Sequence, residues 1–332
     1  MIITRTPFRI SFFGGGTDYP VWYKEHGGAV LATSINKYCY INCRHLPPFF
    51  EHKYRIVYSK TELTQRISEI QHPSVRETLS FMNIDHGVEI HHESDLPARA
   101  GMGSSSAFTV GLLNALYALK GRMVTKRQLA LDAIHVEQDR IKENVGSQDQ
   151  TIAAFGGFNK IEFGGEQQIM VQPITINSER IQLFQDHLML FFTGLSRTAS
   201  EVAGEQIKKT SEKEKELNRM VEMVDEAIDV LNGSDSDITD VGRFLHESWM
   251  IKRSLTDKIT TLQIDKIYET ALEAGALGGK LLGAGGGGFI LLFVEPEFQP
   301  KVKEKLKNLL YVPFKFENLG SQIIYYSPQD EF

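Results

Sequence analysis

The chain has 332 residues and a formal net charge of −6, from 36 lysines and arginines against 42 aspartates and glutamates. This length is enough for two domains or one large one. A general nucleic-acid-binding protein would carry a basic excess, and no apolar run approaches the roughly 18–20 residues of a membrane helix. The composition therefore predicts a cytoplasmic enzyme or binding protein that binds neither nucleic acid nor membranes.

The cysteine content excludes a disulfide-rich protein. There are two cysteines, Cys39 and Cys43, which are too few for a disulfide scaffold. A zinc site is not expected, because no second pair of cysteines or histidines follows at ligand spacing. We expect both thiols to be reduced and packed in the interior.

The predicted elements of the first half mix strands and helices. Segments rich in β-branched and aromatic residues predict strands; they cover residues 1–13, 28–45, 53–59 and 87–94. Helical spacing predicts three helices; they cover residues 61–82, 106–120 and 125–144. Strand-like pieces follow over 151–163.

The second half is mainly helical. A buried strand is predicted over 187–194, and a long helix over 199–232. The remaining predicted elements are further helices that reach Leu282, a strand over 289–294, a helix near 297–309 and a last strand near 321–327. We place the break between about 160 and 185 and divide the chain into a domain of residues 1–175 and a domain of residues 176–332.

The glycines form three clusters, and the second has the pattern of an anion site. In residues 96–107 a strand is followed by a glycine turn, the serines Ser104, Ser105 and Ser106, and then a helix. The first turn of a helix offers N–H groups and the positive end of the dipole to a phosphate. One serine hydroxyl could also bind a metal ion. The alternative is a plain helix N-cap, and the Walker A pattern is absent.

The third cluster, from Gly283 to Gly288, matches the pattern GxGxxG. In dinucleotide-binding proteins this pattern follows a strand and opens a helix. Here the predicted helix comes before the cluster and the predicted strand after it, which argues against an oxidoreductase with a nicotinamide cofactor. The small residues predict instead a close approach of the backbone to another segment or to a phosphate.

The first cluster, Gly14 to Gly16, lies between two charged residues. Arg9 shares a strand face with Ser11 and Phe13, so it either reaches solvent at an edge or meets a phosphate or an acid. Asp18 follows the glycines and is either a turn former or a ligand.

Two further acids complete the candidate site. Glu137 lies on the inward face of the helix predicted over 125–144, and a buried carboxylate needs a cation or hydrogen-bond donors. Mg²⁺ could supply the cation; the alternative is an edge residue that reaches water. Asp149 follows the end of this helix, where an acid is either a loop cap or functional.

Three motifs, in this order, resemble those of the GHMP kinase superfamily, which includes galacto-, homoserine, mevalonate and phosphomevalonate kinases. They are PFRISFFGGGTDY at 7–19, LPARAGMGSSSA at 96–107 and KLLGAGGGGF at 280–289. The resemblance implies a two-domain α+β fold. The N-terminal domain would resemble domain 2 of ribosomal protein S5, with a left-handed β-α-β unit, and the C-terminal domain would be ferredoxin-like.

The resemblance also implies a site for ATP and Mg²⁺. The ATP phosphates would lie on the glycine loop, at Gly101, Met102, Gly103, Ser104, Ser105 and Ser106, and Mg²⁺ would be held by Ser105 and Glu137. Asp149 would face the acceptor hydroxyl, and Arg9 would lie near that hydroxyl and the γ-phosphate. The residues expected to contact the substrate are Gly15, Gly16, Thr17, Asp18, Arg197, Gly285 and Gly286.

The substrate implied is a sugar or sugar phosphate. Galactokinases have a Glu-His pair where this chain has Gly15 and Gly16. The segments GGGTDYP and VGSQDQ look most like those of kinases that phosphorylate the anomeric hydroxyl of D-glycero-D-manno-heptose 7-phosphate, although fucokinase-type domains share part of the pattern. Arg197 is the candidate seat for the substrate phosphate, with Lys280 and Arg44 as alternatives.

A kinase-like sensor, which binds ATP and sugar without turnover, is the rival from another class. The presence of Asp149, Glu137 and Ser105 argues against it. We expect a monomer or a homodimer.

Overall fold

The structure is a computed structural model, and it describes residues 1–98, 100–165, 168–195, 199–233 and 235–327. Its strands are β1 (Ile2–Phe13), β2 (Gly28–His45), β3 (Tyr54–Val57), β4 (Thr61–Thr64), β5 (Val88–Ser94), β6 (Phe158–Phe163), β7 (Ile169–Pro173), β8 (Leu188–Phe192), β9 (Ala276–Leu281), β10 (Phe289–Val294), β11 (Leu310–Tyr311), β12 (Phe316–Glu317) and β13 (Gln322–Tyr326).

The helices lie between these strands. They are α1 (Pro20–His26), α2 (Pro73–Phe81), α3 (Ser104–Leu119), α4 (Lys126–Ile134), α5 (Gln148–Phe155), α6 (Ser178–Asp186), α7 (Ala199–Lys209), α8 (Glu214–Asn232), α9 (Thr239–Leu255), α10 (Leu262–Ala274) and α11 (Gln299–Lys305). None of the helices within the described ranges is both long and apolar enough to span a membrane.

The first sheet has nine of the described strands, in the order β13-β1-β2-β5-β3-β4, with β12 and β6 also paired to β2 and β7 paired to β6. All pairs are antiparallel except β3 with β5. That parallel pair encloses α2, as a β-α-β unit requires. The long apolar helix α3 packs on β1 and β2 and is almost wholly buried.

The second sheet is antiparallel and has the strand order β11-β8-β10-β9. The path from β8 through helices to the hairpin β9–β10, and then through α11 to β11, has the βαββαβ order of a ferredoxin-like domain. The predicted division at residues 175 and 176 stays a prediction. The sheets follow it except that β12 and β13 return to the first sheet.

Several predicted boundaries were wrong. Residues 61–82 are helical only at a short 3₁₀ turn and in α2, because β4 occupies their beginning. The predicted helix over 199–232 is divided by a 3₁₀ turn at Thr210–Glu212. The helices do not reach Leu282, because α10 ends at Ala274 and β9 follows. The third glycine cluster therefore joins two strands, which also excludes a dinucleotide-binding turn.

Candidate active site

A cleft of about 250 Å³ lies where glycine turns from the two halves of the chain meet. Its walls come from the turn after β1, the loop before α3, the segment before α5, and parts of α7, α9 and the β9–β10 turn. Most of the predicted charged site residues line this cleft, as described next.

Arg9 and Asp149 form a two-pronged ion pair in the cleft. Arg9 Nε and Nη2 donate to Asp149 Oδ1 and Oδ2, each over 2.7 Å, and Nη1 donates to the carbonyl oxygen of Gly101 over 2.7 Å. Such bidentate pairs fix orientation as well as adding energy. Arg9 is only 5% exposed, so the alternative of a solvated edge is excluded. The Arg9 guanidinium therefore links β1 to α5 and to the glycine loop through hydrogen bonds.

Asp149 and Asp18 approach the cleft from neighbouring backbone segments. Asp149 lies in the first turn of α5, where we had expected a loop. The backbone N–H groups of Gly16 and Gln148 donate to the Asp18 carboxylate over 2.9 Å and 3.3 Å. Burial raises the pKa of Asp18, and the nearby charge of Asp149 adds to this. Both acids are thus fixed before a ligand arrives.

The loop over 101–106 opens α3 toward the cleft. The helix begins at Ser104, two residues earlier than predicted, and its N-cap is Gly103 rather than a serine side chain. Gly103 has φ of +74°, a conformation that costs other residues roughly 1–2 kcal/mol. The first-turn N–H groups have no intrahelical partner, and Ser104, Ser105 and Ser106 line the cleft.

The third glycine cluster packs against this loop. A Cβ on Gly283 would lie 2.5 Å from the Cα of Gly101, so neither position has room for a side chain. Gly285 and Gly286 do not line the cleft, contrary to their prediction as substrate contacts. The N–H of Gly286 instead donates to the carbonyl oxygen of Ile259 over 2.8 Å. The predicted close approach of the backbone is confirmed.

Glu137 lies beneath the loop and is fully buried. Ser106 Oγ donates to its Oε2 over 2.8 Å, and Gln150 Nε2 donates to the same oxygen. Its other oxygen, Oε1, has no hydrogen-bond partner among the described residues. Burial raises the pKa of Glu137 to about 7, against the opposing effect of its hydrogen bonds.

This environment fits a cation. An unpartnered buried carboxylate oxygen is costly unless a cation or a donor meets it, and Mg²⁺ commonly takes one or two carboxylates together with substrate phosphates. No group of three or more metal-binding side chains occurs in the described part of the chain, so phosphates and water would supply the other ligands. Ser106 hydrogen-bonds Glu137, whereas Ser105 is exposed at the cleft, and Ser105 and Glu137 as joint Mg²⁺ ligands stay a prediction.

The helix that carries Glu137 is not regular. α4 ends at Ile134, and a π-helical turn at His135–Arg140 continues it. Such turns are frequent at functional sites, because the extra residue redirects side chains. The regular helix predicted over 125–144 was therefore wrong in its second half, although Glu137 points inward as predicted.

Of the remaining predicted site residues, some line the cleft and others are buried and do not line it. Gly15 and Gly16 line the cleft. Met102 is buried, and its carbonyl oxygen accepts the N–H of Arg9 over 3.2 Å. Thr17 is also buried and donates to the carbonyl oxygens of Gly14 and Ala29, which is a structural role in the turn.

The three residues predicted as candidates to bind a substrate phosphate differ in their position relative to the cleft. Arg197 lies outside the described residues. Arg44 is engaged with Glu89 and does not line the cleft. Lys280 lines it.

Sequence analysis assigned no role to three further cleft residues, Lys252, Ser11 and Gln148. Lys252, on α9, donates to the carbonyl oxygen of Gly283, and Lys280, on β9, donates to that of Phe12 over 2.7 Å. Ser11 Oγ and Gln148 Oε1 are buried at the cleft wall without hydrogen-bond partners among the described residues. Lys280 had been singled out only as an alternative phosphate seat, and Lys252 carries no sequence signal, because it falls within an ordinary amphipathic helix.

The comparisons with known proteins identify the family. The family model of the GHMP kinases N terminal domain matches residues 66–157, and that of the GHMP kinases C terminal matches residues 223–312. Together they match more than half of the chain, and the chain belongs to the GHMP kinases. The predictions of this family, of its α+β fold and of a phosphotransferase of the sugar-kinase type are confirmed. Kinases of this family use ATP as the phosphate donor.

Individual relatives resemble the chain over most of its length. A D-glycero-alpha-D-manno-heptose 7-phosphate kinase of Campylobacter jejuni is 27% identical over 89% of this chain and 90% of its own. A galactokinase of Pyrococcus furiosus is also 27% identical, over 89% of this chain and 90% of its own. The solved structure of a D-glycero-D-manno-heptose 1-phosphate kinase from Bacteriodes thetaiotaomicron has a TM-score of 0.80 and 22% identity, and it covers 98% of this chain and 99% of its own.

Proposed function

We propose that this protein is an ATP-dependent kinase that phosphorylates the anomeric hydroxyl of D-glycero-D-manno-heptose 7-phosphate. The product would be the 1,7-bisphosphate, used for nucleotide-activated heptose and surface polysaccharide. The observation that carries the proposal is the bidentate pair of Arg9 and Asp149, bound to the carbonyl oxygen of Gly101 in a phosphate-type loop. Donor and acceptor groups would meet at this point.

The donor side is the loop over 101–106. The N-terminal turn of α3 would bind the ATP phosphates through its N–H groups and dipole. Glu137 and Ser105 would hold Mg²⁺, and the hydrogen bond from Ser106 would orient the Glu137 carboxylate. Bound there, the ion offsets the charge of the phosphates. Phosphoryl transfer depends on this neutralisation and on positioning more than on covalent help.

The acceptor side is formed by Asp149, Arg9 and Asp18. Each oxygen of the Asp149 carboxylate accepts one bond from Arg9 and retains a second lone pair. Asp149 would orient the attacking hydroxyl through that lone pair and receive its proton. Arg9 would stabilise negative charge on the transferred group.

Two unpartnered polar atoms support a polyhydroxylated acceptor. Ser11 Oγ and Gln148 Oε1 are buried at the cleft wall beside Gly15. Buried polar atoms are normally hydrogen-bonded, and sugar hydroxyls would supply the partners. Gly15 and Gly16 leave the pocket edge without side chains, where galactokinases have a Glu-His pair. The similarity to the Campylobacter jejuni heptose 7-phosphate kinase favours the heptose phosphate.

The proposal also covers four other properties of the protein. The cation would be Mg²⁺, the protein would be cytoplasmic and either a monomer or a homodimer, and its two domains would divide between residues 175 and 176.

A panel of acceptors tests the assignment. ADP release with Mg-ATP would be measured for D-glycero-D-manno-heptose 7-phosphate, free heptose, mannose, fucose and galactose. The proposal expects the highest kcat/KM with the heptose 7-phosphate. Preference for fucose would place the protein with the fucokinase-type enzymes. ATP binding without turnover of any acceptor would favour the sensor.

A further inference from the structure

Two lysines are buried in the C-terminal wall of the cleft. Lys252 is 6% exposed and Lys280 is 2% exposed. Each is bonded to one backbone carbonyl oxygen, of Gly283 and Phe12 respectively, although an ammonium group has three donors. Within the described residues, neither amine forms an ion pair with a carboxylate. The proposed mechanism uses neither of them.

The charged groups around these lysines are engaged elsewhere. The other charged groups that act on them are Arg9, Asp18 and Asp149. Arg9 and Asp149 neutralise each other, and Asp18 is bonded to backbone N–H groups. The cleft holds three cations, Arg9, Lys252 and Lys280, and three carboxylates, Asp18, Asp149 and the partly buried Glu143. Buried charges are costly unless they are paired, and neither lysine is ion-paired among the described residues, which points to an anionic ligand.

We propose that Lys252 and Lys280 form a second anion-binding pair in the cleft, which holds a phosphate oxyanion. The oxyanion has two possible sources, the phosphate already carried by the acceptor and the phosphoryl group in transfer. Burial lowers the pKa of both amines, and an arriving anion would favour their charged form. The source of the oxyanion rests on the proposed function. The binding of phosphate by the two lysines does not depend on it.

Binding of inorganic phosphate tests the pair directly. Titration calorimetry would compare the wild type with Lys252→Met and Lys280→Met, in saturating Mg-ADP so that the loop is occupied. We expect each variant to bind phosphate about tenfold more weakly or worse, as the loss of a charge-assisted hydrogen bond implies. Lys266→Met, on the exposed face of α10, is the matched control and should bind phosphate as the wild type does.

A purely structural role would give the opposite pattern. If the lysines serve only their carbonyl contacts, the Met variants would be less stable but would bind phosphate like the wild type, and the proposal would be overturned. A measurement on the unmodified protein covers the case of a variant that does not fold. NMR of ¹⁵N-labelled lysine amines should show phosphate shifting two buried amine signals, and unshifted signals would also overturn the proposal.

Kinetics distinguish the two sources. If the acceptor carries the oxyanion, the variants should raise KM for heptose 7-phosphate about tenfold and leave KM for free heptose unchanged. If the transferred group is the oxyanion, kcat should fall equally with both acceptors. Unchanged kcat and KM with both would contradict the pair. Absence of turnover in the wild type would refute the proposed function instead, and the phosphate titration would still decide the role of the lysines.

Discussion

The two walls of the cleft treat their charges differently. On the N-terminal wall, Arg9 and Asp149 neutralise each other through two hydrogen bonds, and Asp18 is fixed by backbone N–H groups. On the C-terminal wall, Lys252 and Lys280 hydrogen-bond only to carbonyl oxygens among the described residues. Buried charges that are paired and hydrogen-bonded hold a fixed geometry, whereas unpaired ones remain available to a ligand. The N-terminal wall is therefore preorganised, and the C-terminal wall is the one that we propose to bind an anion.

Glu137 belongs with the unpaired charges although it lies beneath the N-terminal wall. One of its oxygens accepts hydrogen bonds, and the other has no partner within the described part of the chain. The comparison thus separates side chains that orient the reacting groups from side chains that neutralise the charge of bound ligands. Substitutions in the first set should affect turnover, and those in the second set should affect ligand binding and the pH dependence of stability.

The largest effect is expected from breaking the preorganised pair. Asp149→Asn should lower kcat by about 10²–10⁴-fold, the usual contribution of a general base, with little change in ATP affinity. Steady-state kinetics and ATP titration would measure both. Asp235→Asn, at an exposed position, is the control. A turnover number like that of the wild type would remove Asp149 from the mechanism.

Glu137→Gln should change the pH dependence of stability. The pKa of Glu137 is raised from 4.5 to about 7 in the folded protein, mainly by burial. Its contribution to stability is therefore complete below about pH 4.5 and is lost as the pH rises through about 7. Between pH 5 and 8 the wild type should lose up to about 3 kcal/mol of unfolding free energy relative to the variant.

Urea unfolding at several pH values measures this difference for the metal-free protein. Mg²⁺ with an ATP analogue should offset the loss in the wild type, because a cation favours the carboxylate. Glu269→Gln, at an exposed position on α10, should follow the wild type. A constant difference between wild type and Glu137→Gln across this range would contradict the account.

Lys252→Met should change the pH dependence of stability in the direction opposite to that of Glu137→Gln. Burial, together with Arg9, lowers the pKa of Lys252 from 10.5 to about 8 in the folded protein. Its stability contribution is complete above about pH 10.5 and is lost as the pH falls through about 8. Between pH 10 and 7 the wild type should lose up to about 3 kcal/mol of unfolding free energy relative to the variant. Unfolding series over this range would reveal the change, and a constant difference between variant and wild type would be inconsistent with an unpaired cation.

The smallest effect concerns the contact between the loop and the ion pair. A Cβ at Gly103 would lie 3.2 Å from Arg9 Cγ, whereas one at Gly121 would meet nothing within 4 Å. Both glycines have positive φ, +74° and +63°. Gly103→Ala and Gly121→Ala should each cost roughly 1–2 kcal/mol of stability, but only Gly103→Ala should also reduce kcat. Equal activities would show that the loop tolerates a displaced Arg9.

The sequence predicted those parts of the site that depend on local pattern. The inward face of Glu137 follows from helical spacing, and the glycine turn that opens α3 toward the cleft follows from the order of glycines and serines. The choice between an acid and a phosphate for Arg9 could not be made, because its partner lies 140 residues away and only the fold brings it near. For the same reason, Lys252 gave no signal.

Where the prediction was wrong, tertiary contacts overrode local pattern. Residues 276–281, ALGGKL, read as the end of a helix but pair with β10 as a strand. The π-helical turn at His135–Arg140 leaves no mark in the spacing of apolar residues. The same turn carries Glu137, which accepts a hydrogen bond from Ser106.

The central claim is that this cleft transfers the γ-phosphoryl group to an anomeric hydroxyl. Phosphorus NMR of wild-type protein with Mg-ATP and D-glycero-D-manno-heptose 7-phosphate tests it most directly. The account predicts a new anomeric phosphate resonance that grows as ATP becomes ADP, while the resonance of the 7-phosphate persists. Phosphorylation of another hydroxyl, or conversion of ATP to ADP and inorganic phosphate alone, would contradict it.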